Sequence, residues 1–179
     1  MIKQLVAFLV FVFASAHPAL GSDFVLSSED IAEGKALSKA QVFNGFGCDG
    51  GNVSPQLSWE NAPEGTKSFA VTAYDPDAPT GSGWWHWVAF NIPASVKELA
   101  SNASQSMPSG TIQARSDFGS HQFGGACPPP GQVHRYIFTV YALNVERLDL
   151  DETASAALVG FMVKSNALSS DKVTAVYSR

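Results

Sequence analysis

The sequence is poor in charge, poor in cysteine, and without an apolar run long enough to cross a bilayer. Lys, Arg, Asp and Glu make up 15% of its 179 residues, with 11 basic against 16 acidic side chains. No Lys/Arg cluster or stripe occurs, which argues against a nucleic-acid partner, because neutralising a row of phosphates needs clustered cations. The longest apolar run, Leu5 to Ala14, has ten residues, about half of what a membrane-spanning helix requires. No His-x-His or Cys-x-x-Cys pair is present, so a metal site would have to assemble from distant positions, and none is expected. The G-x-S-x-G, H-E-x-x-H and phosphate-loop patterns are missing too. Gly45 to Gly50 matches G-x-G-x-x-G formally, but Asn52-Val53-Ser54-Pro55 follows where a helix would have to begin. With no repeat and no low-complexity linker, a chain that is 45% hydrophobic is expected to form one core.

What is present begins with a leader pattern. Lys3 supplies a positive start, Leu5 to Ala14 the apolar stretch, and small residues follow. Two small-x-small frames fit, Ala14-Ser15-Ala16 and Ala19-Leu20-Gly21; the second is preferred, giving a signal peptide over residues 1–21 and one domain over 22–179. The alternative is an N-terminal membrane anchor. Cleavage would remove one lysine and no acid, leaving a net charge of −6 and no integral membrane segment. Export would also carry Cys48 and Cys127 into an oxidising compartment, where an even count favours a bridge. A Cys48–Cys127 disulfide is expected, the alternative being two separate buried thiols.

Three segments carry strong strand signals: Ser68 to Tyr74, Trp84 to Ile92 and His134 to Leu143, all rich in aromatic and β-branched residues. Phe24–Leu26, Leu57–Trp59 and Val173–Tyr177 are weaker candidates. One late helix is expected, capped by Asp149 or Asp151, with Ala154, Leu158, Phe161, Met162 and Leu168 as its apolar stripe. A short helical turn over Ser95 to Leu99 is a further candidate. Strands followed by a late helix predict a mainly β fold, an antiparallel β-sandwich with a peripheral helix.

Chemistry-bearing residues collect at the strand ends. In Asp75-Pro76-Asp77-Ala78-Pro79, prolines stiffen a loop that presents two carboxylates; the plainer reading is a turn opener. Alternation along the second strand places Trp84, His86, Val88, Phe90 and Ile92 on one face and Trp85, Trp87, Ala89 and Asn91 on the other. A buried His86 must find a partner, and a backbone carbonyl is the structural alternative to a ligand. His134 and Tyr136 share a face, with Arg135 on the opposite one. The Gly124 to Gly131 loop, with three successive prolines, suits close approach to a ligand or serves as a plain connection. Together, two His, two Asp and a Tyr are the inventory of a small polar pocket in which imidazole and phenol donate to an anion.

The ordered motifs Asp75-Pro76-Asp77-Ala78-Pro79, Trp85-His86-Trp87 and Gly131 followed by His134-Arg135-Tyr136 resemble the signature of the phosphatidylethanolamine-binding proteins, also called Raf kinase inhibitor protein-like. The resemblance runs through Asn52-Val53-Ser54-Pro55, Trp59, Pro63, Gly65-Thr66-Lys67-Ser68 and Asn91-Ile92-Pro93, nearly the whole mature chain. Spacing and the Cys-Pro-Pro element are most similar to the bacterial YbhB/YbcL branch, and the leader points to a periplasmic member. The resemblance implies a sandwich with a Greek-key connection and one anion pocket. It implies Asp75, Asp77, His86, His134 and Tyr136 as ligand-contacting residues, with Gly125 and Pro128 in the rim loop.

The expected function is therefore a periplasmic binder of a small anion or a phospholipid-headgroup-like phosphate, without cofactor or metal. A protein partner is the next expectation, in the form of a protein that modulates a kinase or protease in the envelope or on a host. A low-activity hydrolase using the His/Asp groups ranks last, since no nucleophile adjoins a histidine in the motifs. Aromatic richness near the strand ends is compatible with a homodimer.

Overall fold

A computed structural model describes residues 23–179; the expected leader over residues 1–21 lies outside them. The described chain is mainly β. Its strands are β1 (Val25–Ser27), β2 (Leu57–Glu60), β3 (Ser68–Asp75), β4 (Trp84–Pro93), β5 (Glu98–Leu99), β6 (Ile112–Gln113), β7 (Val133–Leu143) and β8 (Ala167–Ser178), with one α-helix, α1 (Ala156–Asn166). They form two antiparallel sheets, ordered β1-β2-β5 and β6-β4-β3-β7-β8. In the larger sheet β3, β4 and β6 lie side by side and β7 returns to pair with β3, which is the expected Greek-key order. Among the described residues no helix is long and apolar enough to cross a membrane.

Three layers explain the burial pattern. Phe24, just ahead of β1, with Leu26, Leu57 and Trp59 of the small sheet, packs on Phe69, Val71, Trp87, Phe138 and Val140 of the large one. On the opposite face Ala70, Val88, Phe90 and Leu143 meet Val159 and Val163 of α1. The central strand β3 is thus covered on both sides, which is why it reads as an unbroken apolar run.

Strict alternation along β4 does not hold. Ala73 pairs with Trp87 and Tyr74 with Trp85, so His86 is an extra residue, a β-bulge. A second irregularity lies at Asn91, which adopts a left-handed φ of 58° and exchanges hydrogen bonds with the Leu148 backbone. The bulges change the facing. Val88 and Phe90 join Trp85 toward α1, while Trp87, Ala89 and Ile92 face the other sheet. His86 stays with Trp84, and both line one cavity.

The helix differs from expectation in three ways. Its N-cap is Ser155, whose hydroxyl accepts from the Leu158 N–H, rather than Asp149 or Asp151. Its buried stripe is Ala156, Val159 and Val163, whereas Leu158 and Phe161 are exposed. The smaller side chains let the helix sit close to the sheet, where Gly160 lies against Trp85. Leu168 belongs to β8, which starts six residues earlier than Val173 because Ala167–Lys172 is too polar to read as a strand. The expected turn over Ser95 to Leu99 holds only as far as the Val96 N–H to Pro93 carbonyl bond; Glu98–Leu99 is a strand paired with β2.

Candidate functional site

The cavity forms where β3 ends and β4 and β7 begin. Asp75, the last residue of β3, is 3% exposed. Its Oδ1 accepts the N–H groups of Asp77 (2.8 Å) and Ala78 (3.1 Å), an Asx turn that fixes the loop. Its Oδ2 accepts from Nδ1 of His134 at 2.7 Å. The Nε2 of His134 meets Gln132 Oε1 at 3.0 Å, so both ring nitrogens have a side-chain partner.

His86 is held differently. Its Nδ1 donates to the Gly124 carbonyl at 2.6 Å, and the Gly124 N–H donates to the His86 carbonyl at 2.9 Å. The sequence's structural alternative, a histidine bonded to backbone, is thus realised at one nitrogen only. With the Nδ1 proton committed to a carbonyl, Nε2 is the lone-pair nitrogen of the neutral ring. Burial pushes this imidazole below its ordinary pKa, against the opposing pull of the Gly124 carbonyl and the Asp75 charge. Tyr136 packs edge-on against the ring, centroids 5.1 Å apart. Burial drives its phenol well above the ordinary range, and its hydroxyl is buried without a partner among the described residues.

The cavity encloses about 190 Å³. Asp75, His86 and His134 supply its polar groups; Ala78, Pro79, Thr80 and Trp84 form one wall, and Phe46, Phe118 and Cys127 to Pro129 the other. Two segments carry that second wall, and the Cys48–Cys127 disulfide, with Cα atoms 6.0 Å apart, joins them as expected. Phe118 is the keystone. It packs on Phe43 at 4.5 Å, Trp84 at 5.4 Å and His86 at 5.2 Å between ring centroids.

The residues singled out from sequence divide into two groups. Asp75, His86, His134 and Pro128 line the cavity, and Tyr136 stands directly behind His86. Asp77 faces away, its carboxylate accepting Arg135 Nη2 at 2.7 Å and Arg135 Nε and N at 2.9 Å each. The Arg135 guanidinium holds the Asp77 carboxyl down to about 2. Gly125 does not line the cavity: its N–H donates to Asn52 Oδ1 at 2.7 Å, and a Cβ there would come within 2.4 Å of the Gln41 carbonyl oxygen. Its smallness serves the close pass of two chain segments. Sequence reasoning missed Phe46, Phe118, Trp84 and Gln132. The Cys48–Cys127 pairing could have brought Phe46 to the rim loop, but nothing in the pattern marks Phe118. Among the described residues no three His, Cys, Asp or Glu side chains converge as metal ligands.

Known proteins share this plan. The family model described as phosphatidylethanolamine-binding protein matches residues 27–178. The UPF0098 protein YbhB of Escherichia coli is 53% identical over 156 residues, covering 86% of this chain and 99% of YbhB. The UPF0098 protein YbcL of Escherichia coli is 50% identical over 174 residues, 94% of this chain and 93% of YbcL. The crystal structure of E. coli YbcL, described as a new member of the mammalian PEBP family, matches with a TM-score of 0.86, covering 88% of this chain and 99% of that one. A phosphatidylethanolamine-binding protein from Plasmodium vivax, 17% identical and covering 87% of this chain and 85% of its own, shares the fold at a TM-score of 0.54.

Proposed function

The chain belongs to the phosphatidylethanolamine-binding protein family, and from that premise we propose that its cavity receives a small anionic group, the phosphate or carboxylate of a headgroup or metabolite. The observation that carries this reading is the convergence of two differently tethered imidazoles, His134 on Asp75 and His86 on Gly124, in one aromatic-walled cavity. At about 190 Å³ the space suits a headgroup-sized fragment, not a whole lipid. An entering oxyanion takes the acceptor position that Gln132 Oε1 holds on His134 Nε2. It meets His86 at Nε2, which donates once the ring is protonated.

Binding without turnover is the reading the side chains favour. The Thr80 hydroxyl is committed to the Gly83 carbonyl and Cys127 to its disulfide, so neither lining residue is poised as a nucleophile beside a histidine. The leader pattern at the N-terminus and the disulfide support export to the periplasm. Phe46, 68% exposed at the cavity mouth, supports a second reading in which a partner protein is engaged there.

Calorimetric titration with phosphorylethanolamine and inorganic phosphate tests the proposal. Saturable binding that disappears in His86→Ala and His134→Ala, both still folded, is the expected result. No binding by the wild-type protein would overturn the anion reading in favour of partner engagement.

A further inference from the structure

A second recess lies on the α1 side of the large sheet, where the helix covers only part of the strand surface. Its volume is about 580 Å³, and ten residues line it. Cross-strand pairing lays them out in rows: Thr72 beside Thr139 beside Lys172, and Tyr141 beside Ser170. Tyr74 and Trp85, ring centroids 4.7 Å apart, form an aromatic flank at one end. Tyr141 stands two rows further along, a span of about 13 Å at the usual strand rise, and Lys164 reaches over from α1.

Three properties of this groove bear on what it could hold. The hydroxyls of Thr72, Thr139, Ser170 and Tyr141 make no side-chain hydrogen bond among the described residues, although Thr72 is only 3% exposed. Lys164 and Lys172 have no carboxylate partner there, and none of the ten lining residues is acidic, in a chain of net charge −5. Its apolar side chains are three aromatics, Tyr74, Trp85 and Tyr141, and two aliphatics, Ile137 and Ala167.

We propose that this groove binds a carboxylated oligosaccharide. Aromatic faces accept the C–H faces of sugar rings, the open hydroxyls exchange hydrogen bonds with sugar hydroxyls, and the two lysines pair with carboxylates. A peptide seeking strand pairing would need a free backbone edge, whereas the groove lies on the sheet's face. The length between the aromatic flank and Tyr141 suits a short oligomer better than a single sugar. This site is separate from the histidine cavity, with which it shares no lining residue.

The test is titration of the purified protein with trigalacturonic acid, followed by two-dimensional amide NMR including the Trp85 indole, with its trimethyl ester and hexaglutamate as comparison probes. Trigalacturonate is expected to move the Trp85, Thr139 and Lys172 resonances saturably and to bind more tightly than the ester. Lys172→Gln and Lys164→Gln should each weaken it about two- to fivefold, the range of an exposed ion pair. Tyr141→Ala should weaken it up to about tenfold. Absence of binding, equal binding of the ester, or tighter binding of hexaglutamate would each overturn the proposal.

Discussion

One carboxylate does two jobs at the head of the pocket: Asp75 Oδ2 accepts from His134 Nδ1 at 2.7 Å, while Asp75 Oδ1 accepts the N–H groups of Asp77 and Ala78. The same side chain therefore sets the loop and the orientation of the ring. Asp75→Asn keeps the shape but removes the charge, and it leaves a buried imidazole against an amide. The expected cost is about 2–4 kcal/mol of stability, read by denaturant titration, with at least about tenfold weaker phosphate binding. An Asn variant as stable and as tight as wild type would show that His134 is positioned by its strand alone.

Asp77, two residues on, should behave oppositely. It pairs with Arg135 on a half-exposed surface, so Asp77→Asn should cost no more than about 1 kcal/mol and leave phosphate affinity within about twofold. The pH dependence follows from its carboxyl being held down to about 2 from an ordinary 3.8. Stabilisation is present above the ordinary value and is lost as pH falls from 3.8 toward 2. Unfolding curves of variant and wild type should therefore converge near pH 2, and a large loss of phosphate binding in Asp77→Asn at neutral pH would place this carboxylate in the site after all.

The contrast between these two aspartates shows where sequence ran out. Both sit in one Pro-rich motif at period two, and alternation alone gives them the same side; an Asx turn at Asp75 swings Asp77 to Arg135 instead. The strong strands were legible because β3, β4 and β7 are central and densely apolar or aromatic. β8 was legible only where Val173 to Tyr177 is apolar, since its polar half is held by pairing with Thr139 to Leu143 of β7 that local composition does not encode. Both bulges of β4 depend on partners in other strands, so the facing of Trp87 and Val88 could not be read from period two. His86, His134 and Asp75 were found through their motif, whereas Phe118 sits in a turn closed by Ser116 and Ser120 and reaches the cavity by docking on Phe43 and His86, partners that local composition does not name.

His86 should make both stability and binding sensitive to mild acid, with opposite signs. Burial lowers its pKa in the folded protein, so below the ordinary histidine value of 6.5 the unfolded chain takes up a proton that the folded one refuses. Stability should fall as pH drops through that value, and less so in His86→Gln. An anion at Nε2 favours the protonated ring, so binding should tighten over the same descent and be accompanied by proton uptake. Calorimetry in buffers of different ionisation enthalpy measures that uptake; phosphate binding without it would mean that His86 meets its ligand as a neutral acceptor.

The disulfide offers a test of how the aromatic wall is held. Cys48 and Cys127 are separated by 79 residues, and closing a loop of that length is worth up to about 4.5 kcal/mol in the chain-entropy model. The bridge is not the only tie between its two segments. The Phe43 N–H donates to the Ala126 carbonyl and the Ala126 N–H to the Gln41 carbonyl, both at 3.0 Å, so residues 41–43 should stay docked without it. Residues 44–50 lean more heavily on the bridge, and among them Phe46 reaches Phe43 and Phe118 at 5.3 and 5.9 Å between ring centroids. Replacing both cysteines by serine should therefore cost about 2–5 kcal/mol and raise amide exchange over residues 44–50 while sparing 41–43. Phosphate affinity should fall only a few-fold, because the Asp75–His134 and Gly124–His86 bonds do not pass through the bridge. Complete loss of binding in a folded double variant would instead make the wall, not the imidazoles, the dominant source of affinity.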